Sequence, residues 1–223
     1  MPWSVPKSTL SRAVNTGAGP RGALGSYVRA SGGGGAAAQR ARSGRRTLAK
    51  AGTFLGLASR IGIAGAARQI LGLTRLVGQD LHTILLDLAS RIAPAGATNE
   101  DAVARSATLA SFDAFADELK SQGLGPDALD HVDARAIESV LRDFVMNYIS
   151  ERFLQELDLR IHRGRISVED ASDVFRDVKD TIRATVTWDF RDVDLTTFDW
   201  EGPEGRARAE RIFREAYSLI EEL

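Results

Sequence analysis

Apolar residues recur at every third or fourth position through most of the chain beyond residue 47, the spacing of helices that bury one face. Three long runs show this spacing most clearly, at residues 66–92, 103–119 and 137–161. Two shorter runs follow at residues 174–182 and 212–220, and the sequence has no internal repeat of fixed period. The pattern predicts an all-α protein, a helical bundle of about five to seven helices.

Residues that favour helix ends lie at the boundaries of these runs. Side chains suited to N-capping precede three of the helices: Thr98 or Asn99, Asp133, and Ser167 with Asp170 as a capping box. Residues that stop helices follow the runs: Pro94, Gly96, Gly123 and Gly164. Pro203 suits the first turn of the last helix. The predicted boundaries therefore agree with the apolar spacing.

Residues 184–190 alternate apolar and polar side chains and include β-branched and aromatic types, as a short strand would. No partner strand is evident elsewhere in the sequence, and a single strand is not stable alone. We therefore interpret residues 184–200 as a loop that packs Trp188, Phe198 and Trp200 against the helices.

The N-terminal part of the chain differs in composition. Residues 48–65 are rich in alanine and small apolar residues, which favours closely packed helix, whereas residues 1–47 are rich in glycine and contain three of the six prolines. Because glycine loses the most backbone entropy on ordering, residues 1–47 are expected to form a flexible arm, with residues 32–35 as a hinge. Within it, Leu24 and Tyr27 predict one short docking helix. The predicted domains are the arm, residues 1–47, and a helical domain, residues 48–223.

Charge is distributed unevenly along the chain. Residues 1–79 contain twelve basic and no acidic residues, whereas residues 80–223 contain seventeen basic and thirty acidic residues. The formal net charge of −1 thus conceals a segment of +12 and a segment of −13. Five basic residues cluster within eleven positions: Arg40, Arg42, Arg45, Arg46 and Lys50. Such a cluster favours an anionic partner, either an acidic protein surface or the phosphates of a nucleic acid.

Protein is the favoured partner of this acid-free segment. Its only aromatic residues are Trp3, Tyr27 and Phe54, too few to indicate a base-stacking module, although nucleic-acid binding stays the alternative. Arg60, Arg68 and Arg75 recur roughly on one helical face, as in a helix at a membrane surface, but they also interrupt every apolar stretch long enough to span a membrane. Packing of this segment on the acidic remainder of its own chain is a further alternative, which requires neither nucleic acid nor lipid.

Residues for catalysis or metal binding do not cluster in the sequence. His82, His131 and His162 lack the paired spacing of a zinc site, and the chain has no cysteine. The glycine run lacks both the lysine and the preceding strand of a nucleotide-binding loop. We therefore predict a non-enzymatic protein without cofactor or metal. The absence of cysteine and of a secretory signal fits the cytoplasm.

Residues 21–40 read Arg-Gly-Ala-Leu-Gly-Ser-Tyr-Val-Arg-Ala-Ser-Gly-Gly-Gly-Gly-Ala-Ala-Ala-Gln-Arg, a short helix with a Tyr-Val-Arg signature, a glycine break and an arginine-bearing helix. Further segments are Asp-Ala-Val-Ala-Arg-Ser-Ala at residues 101–107, Asp-Trp-Glu-Gly at 199–202 and Ile-Phe-Arg-Glu-Ala-Tyr at 212–217. Together these segments, spread over most of the chain, resemble the QatB component of the Qat anti-phage defence system.

The resemblance implies a component of an operon that also encodes an ATPase, an enzyme similar to 7-cyano-7-deazaguanine synthase (QatC-like) and a nuclease similar to TatD. It implies no catalytic residues, but a scaffold or client of the synthase-like enzyme. The candidate partner-binding residues are Tyr27, Arg29, Arg40, Arg42, Arg45 and Arg46. Family members begin with a longer leader rich in glycine, serine and proline, whereas this sequence opens at Met1-Pro2-Trp3-Ser4, which bears on any modification of the N-terminus.

Overall fold

The computed structural model describes residues 20–72, 80–125, 132–161, 168–186 and 194–223, together with Ser8. These ranges contain helices and connecting turns but no strand, so the prediction of an all-α protein is confirmed. The helices are α1 (Arg21–Ala30), α2 (Gly33–Arg40), α3 (Arg42–Leu71), α4 (Leu81–Ile92), α5 (Asn99–Ser121), α6 (Ala134–Ile161), α7 (Val168–Thr185) and α8 (Pro203–Glu221). These eight described helices are one more than the upper number predicted.

The chain divides into two compact units, each built from segments distant in sequence. The first unit comprises Met1–Arg42, Ile149–Trp188 and Glu210–Leu223, and the second comprises Ser43–Tyr148 and Asp189–Ala209. Helices α6 and α8 contribute residues to both units. The division into an arm of residues 1–47 and a domain of residues 48–223 stays a prediction.

In the first unit, α1 packs against α2 and α7. Leu24, Tyr27 and Val28 form its buried face, which confirms the docking helix predicted from Leu24 and Tyr27. The Tyr27 ring meets the Phe153 ring edge-on, with 5.3 Å between centroids, a favourable arrangement of two aromatic quadrupoles.

The glycine run begins with a tight turn and continues as helix. Gly32 and Gly33 have φ of 90° and 86°, a backbone conformation that favours glycine, and Gly33 already begins α2. The backbone N–H of Gly34 donates to the Glu221 carboxylate at 2.7 Å, which satisfies an amide that a helix N-terminus leaves without an intrahelical partner. A Cβ on Gly34 would lie 2.6 Å from Ser218 Oγ, so this glycine allows α8 to approach closely.

In the second unit, α4 and α5 form a helical hairpin. The predicted single helix over residues 66–92 is wrong, because α3 ends at Leu71 and Asp80 is an extended N-cap whose carboxylate accepts from the Thr83 N–H at 3.1 Å. Helices α3 and α4 each bury an apolar face, so apolar residues recur every three or four positions on both sides of the interruption and the sequence does not reveal it. The predicted stop at Pro94 and N-cap at Thr98 are confirmed, the latter as a capping box with Asp101.

The remaining predicted helix ends agree with the structure where it describes them. Asp133 accepts from the backbone N–H of Ala136 at 2.7 Å, as an N-cap of α6 does, and Pro203 begins α8. Gly164 and Ser167 lie outside the described residues.

Helix α3 is closely approached by the segment that carries Trp200. This indole is fully buried, and a Cβ on Gly52 would lie 2.6 Å from its ring atoms; a Cβ on Gly56 would lie 3.0 Å from the Leu195 carbonyl oxygen. The prediction that Trp200 packs against the helices is thus confirmed. Phe198 meets it edge-on and is half-buried, and Trp188 lies outside the described residues. Ala184 and Thr185, the start of the possible strand, belong to α7.

Candidate partner-binding surface

Two of the six predicted partner-binding residues, Tyr27 and Arg29, make contacts inside the first unit. Tyr27 is only 6% exposed, so it offers a partner almost no surface. The Arg29 guanidinium donates to the carbonyl oxygen of Glu221, and its other terminal nitrogen lies 3.5 Å from Ser26 Oγ. A cation beside the last carbonyls of α8 is favourable against the helix dipole. Tyr27 therefore holds α1 against α6, and Arg29 holds α1 against the end of α8.

Arg40 and Arg42 lie on either side of buried Ala41, where α2 ends and α3 begins. Both side chains are exposed, and neither makes an ion pair among the residues that the structure describes. Residues 20–72 contain no aspartate or glutamate, so the surrounding sequence offers them no carboxylate. Arg40 and Arg42 are the two predicted arginines that stay open to an anionic partner.

Arg45 and Arg46 lie in the first turns of α3, within the second unit. Arg45 is half-buried, whereas the Arg46 side chain is 63% exposed. Arg46 Nη2 lies 3.2 Å from Asp101 Oδ1, so Arg46 forms an ion pair with the body of its own unit. Lys50, from the same sequence cluster, is exposed and makes no ion pair within the described ranges.

The beginning of α3 is held by two acidic residues from the first turn of α5. The Ser43 N–H donates to Glu100 Oε1 at 2.6 Å, and the Ser43 hydroxyl donates to Asp101 Oδ1 at 2.7 Å. Tyr148 also donates to Glu100 Oε1, at 3.0 Å. Two helix N-termini thus share one carboxylate pair, an arrangement that both helix dipoles favour. The sequence indicated the N-cap of α5 but gave no signal for this long-range contact.

Hydrogen bonds hold the pKa of Asp101 below its ordinary value of 3.8. The Ser43 hydroxyl is the main cause, Thr98 adds two further hydrogen bonds, and the positive charge of Arg46 also favours the carboxylate. Asp101 is therefore ionised at neutral pH, and its interactions stabilise the fold more in that charged form than in the protonated form.

Asp101→Asn should make the protein less stable at neutral pH and its stability less sensitive to acid. Because the folded pKa is lowered, the contribution of Asp101 is complete above its unfolded pKa and is lost as pH falls through the folded value. Urea unfolding at a series of pH values measures this, with Asp117→Asn, an exposed substitution on α5, as control. The pKa values of Asp80 and Asp194 are also lowered, so the stability of wild type and of both variants should still fall to some extent in acid. If the stability of Asp101→Asn depended on pH as that of wild type does, the Asp101 carboxylate would not stabilise the fold as described.

The membrane-surface interpretation of α3 does not agree with its burial. A helix at a bilayer surface must present its apolar stripe to lipid, yet Ile63, Ala66 and Ala67 are fully buried within the protein. Arg60 and Arg68 are exposed, and Arg75 lies outside the described residues. Among the described helices, none has the length and apolarity needed to cross a membrane.

Groups with catalytic or metal-binding chemistry stay dispersed in the described ranges, which contain no cluster of three metal-ligating side chains. His82 Nδ1 lies 3.2 Å from Asp113 Oδ1, where both side chains are about half exposed. A nearby open groove of about 520 Å³ is lined by Asp80, Asp117 and Lys120, so it carries both signs of charge. His131 and His162 lie outside the described residues.

Segments that resemble the defence family have structural roles in this fold. Arg105 donates to the carbonyl oxygens of Ser90 and Ala93, at 3.2 and 2.9 Å, and so caps α4. In the same segment Asp101 caps α5 and binds α3, and the Asp-Trp-Glu-Gly segment supplies the buried Trp200. The residues of these segments therefore cap and pack helices, and their contacts do not indicate a catalytic site.

The helical fold and its exposed arginines define an all-α protein with a basic N-terminal region. A family model described as "Qat anti-phage system associated protein QatB" matches residues 32–220. The chain therefore belongs to the QatB family and is a component of an anti-phage defence system. The match includes α2 to α7 and nearly all of α8, whereas Tyr27 and Arg29 precede it. No curated protein and no solved structure matches the chain.

Proposed function

We propose that this QatB-family protein is a cytoplasmic, non-enzymatic subunit that binds an enzyme similar to 7-cyano-7-deazaguanine synthase, as scaffold or client. Its N-terminal region forms the docking surface, with Arg40 and Arg42 as the principal contacts. The observation that carries the proposal is the exposure of these two guanidinium groups in a region without any acidic residue.

The two arginines have the chemistry for docking on an acidic protein surface. A guanidinium group presents several N–H donors in one plane and can bind a carboxylate with two parallel hydrogen bonds. Arg40 and Arg42 flank a buried alanine at a helix junction, so their backbone positions are fixed. A fixed backbone lowers the entropy lost on binding, because only the side chains have to become ordered.

Two of the other four candidate residues, Tyr27 and Arg29, support this surface indirectly. Tyr27 packs on Phe153 and Arg29 binds the end of α8, so both set the position of α1. Arg46 binds Asp101 at the start of α3, and Arg45 is half-buried one residue before it. We propose that Tyr27 and Arg29 shape the docking region of the first unit, while Arg40 and Arg42 make the contacts.

Binding of a nucleic acid is the alternative, since exposed arginines also suit phosphates. The structure offers it less support, because base stacking requires exposed aromatic rings. Both aromatic residues of residues 20–72, Tyr27 and Phe54, are buried. A purely phosphate-based contact would be independent of base sequence and steeply dependent on salt.

The proposal is tested by mixing the purified full chain with the purified synthase-like enzyme from the same operon, after nuclease treatment. Size-exclusion chromatography with light scattering should show one complex with the summed mass. Deleting residues 1–47 is a poor test, because α1 and α2 contain buried residues whose loss would disturb the first unit. Separate elution of the two proteins at low and moderate salt would contradict the proposal.

A parallel titration decides the nucleic-acid alternative. Fluorescence anisotropy of labelled duplex DNA and single-stranded RNA should show no binding by the full chain at moderate salt. Tight binding would favour the alternative if log Kd changes steeply with log salt and if replacing Arg40, Arg42, Arg45 and Arg46 with alanine abolishes it.

A further inference from the structure

A second exposed feature lies on α3, well beyond the N-terminal arm. Ile61 is 47% exposed, and its side chain lies over Gly65, where a Cβ would come within 3.0 Å of Ile61 Cγ1. Ala64 and Arg68, in the following turns, are exposed as well. We call Arg60, Ile61, Ala64 and Arg68 the kink patch.

Helix α3 is broken at the centre of this patch. Gly62 has φ of 74° and ψ of 160° within the long helix α3, a conformation open essentially to glycine alone. Gly62 and Ile63 are buried, so the surrounding unit holds this break in place. Ile61 lies over Gly65, a residue without a side chain, so the apolar surface there is shallow.

Both charged side chains of the kink patch, Arg60 and Arg68, are positive. Arg60 donates through Nε to the Gly56 carbonyl oxygen at 3.3 Å, and Arg68 makes no ion pair in the described part of the chain. Residues 20–72 include no acidic side chain. Ile61 is therefore an apolar contact point beside two arginines that find no carboxylate near them in sequence.

We propose that the kink patch docks an acidic amphipathic helix of a protein partner. An apolar side chain of that helix would cover Ile61, and its carboxylates would pair with Arg60 and Arg68. Charge complementarity favours an acidic partner. The small size of the patch favours a helix over a bilayer, because the deeper apolar residues of α3, such as Ile63, are buried and cannot insert into lipid.

The patch lies outside residues 1–47 and its test does not involve the synthase-like enzyme. The proposed function and this second docking surface can therefore fail separately. The chain contains no cysteine, so one introduced thiol can be labelled uniquely. Gln69, exposed beside Arg68, is a suitable position for an environment-sensitive dye.

The experiment titrates the dye-labelled full chain carrying Gln69→Cys with a synthetic amphipathic helix of about 20 residues, long enough to be helical in water. Its polar face carries glutamate; two matched peptides carry glutamine or lysine instead. The glutamate peptide should change the dye emission saturably, and the other two should not. Ile61→Asp and Arg68→Glu should each weaken binding by roughly tenfold, as interface anchors do. Leu124→Asp, at another exposed apolar residue, should have no effect.

Reversal of charge preference is the sharpest expected result. The Arg68→Glu chain should gain affinity for the lysine peptide while losing affinity for the glutamate peptide. Because Arg68 is exposed, this variant is expected to fold normally, which circular dichroism verifies. Equal responses to all three peptides, binding unchanged in both patch variants, or a response to phosphatidylserine vesicles but to no peptide would each overturn the proposal.

Discussion

Gly52→Ala should lower the free energy of unfolding by about 1–3 kcal/mol, the usual cost of adding a methyl group to a packed interior. The added Cβ would lie 2.6 Å from three atoms of the Trp200 ring system, closer than real Cβ contacts come. The indole is fully buried and rigid, so it cannot rotate a flexible end away. Either α3 or the segment carrying Trp200 would have to shift, and urea unfolding measures the loss.

The matched control is Gly35→Ala on α2, where a Cβ would meet nothing within 4 Å. There alanine should raise stability, by up to about 1 kcal/mol, because it loses less backbone entropy than glycine in a helix. Trp200→Ala combined with Gly52→Ala should cost no more than Trp200→Ala alone, since the clash disappears with the ring. A Gly52→Ala protein as stable as wild type would show that the two elements do not pack this closely.

Most of the fold could be predicted from local sequence signals. The spacing of apolar residues indicated α5, α6 and α8, and their N-terminal boundaries followed from Thr98, Asp133 and Pro203. These predictions succeeded because capping and amphipathicity act within a few residues. The prediction of a continuous helix across residues 72–80 was wrong for the same reason. Apolar residues recur at helical spacing on both sides of the interruption, so the spacing alone does not reveal it.

The candidate site was predicted less completely, since its residues depend on distant contacts. The sequence indicated an arginine cluster, but only the structure separates exposed Arg40 and Arg42 from Arg46, which pairs with Asp101 some 55 positions away. Burial of Tyr27 by Phe153 likewise depends on tertiary packing. The small residues of the segment 48–65 indicated close packing, but the sequence did not show that Gly52 and Gly56 meet the segment carrying Leu195 and Trp200.

Charge reversal at both exposed arginines should nearly abolish binding of the synthase-like enzyme. Arg40→Glu with Arg42→Glu removes two proposed ion pairs and places two carboxylates against an acidic surface. Truncating an arginine anchor commonly costs about 2 kcal/mol or more, and repulsion adds to that, so affinity should fall by roughly 100-fold or more. Stability should hardly change, because neither side chain makes an ion pair among the described residues. Isothermal titration calorimetry and thermal unfolding of the same samples measure both quantities.

The control for total charge is Lys120→Glu with Arg211→Glu, two exposed positions outside the N-terminal region that produce the same change in net charge. Calorimetric titration of the enzyme into wild type, the Arg40/Arg42 reversal and this control is the most direct test of partner binding through the N-terminal region. We predict saturable binding by wild type and by the control, and loss of binding only in the Arg40/Arg42 reversal. Equal affinity of all three proteins, or equal loss in both reversals, would contradict a docking surface at Arg40 and Arg42.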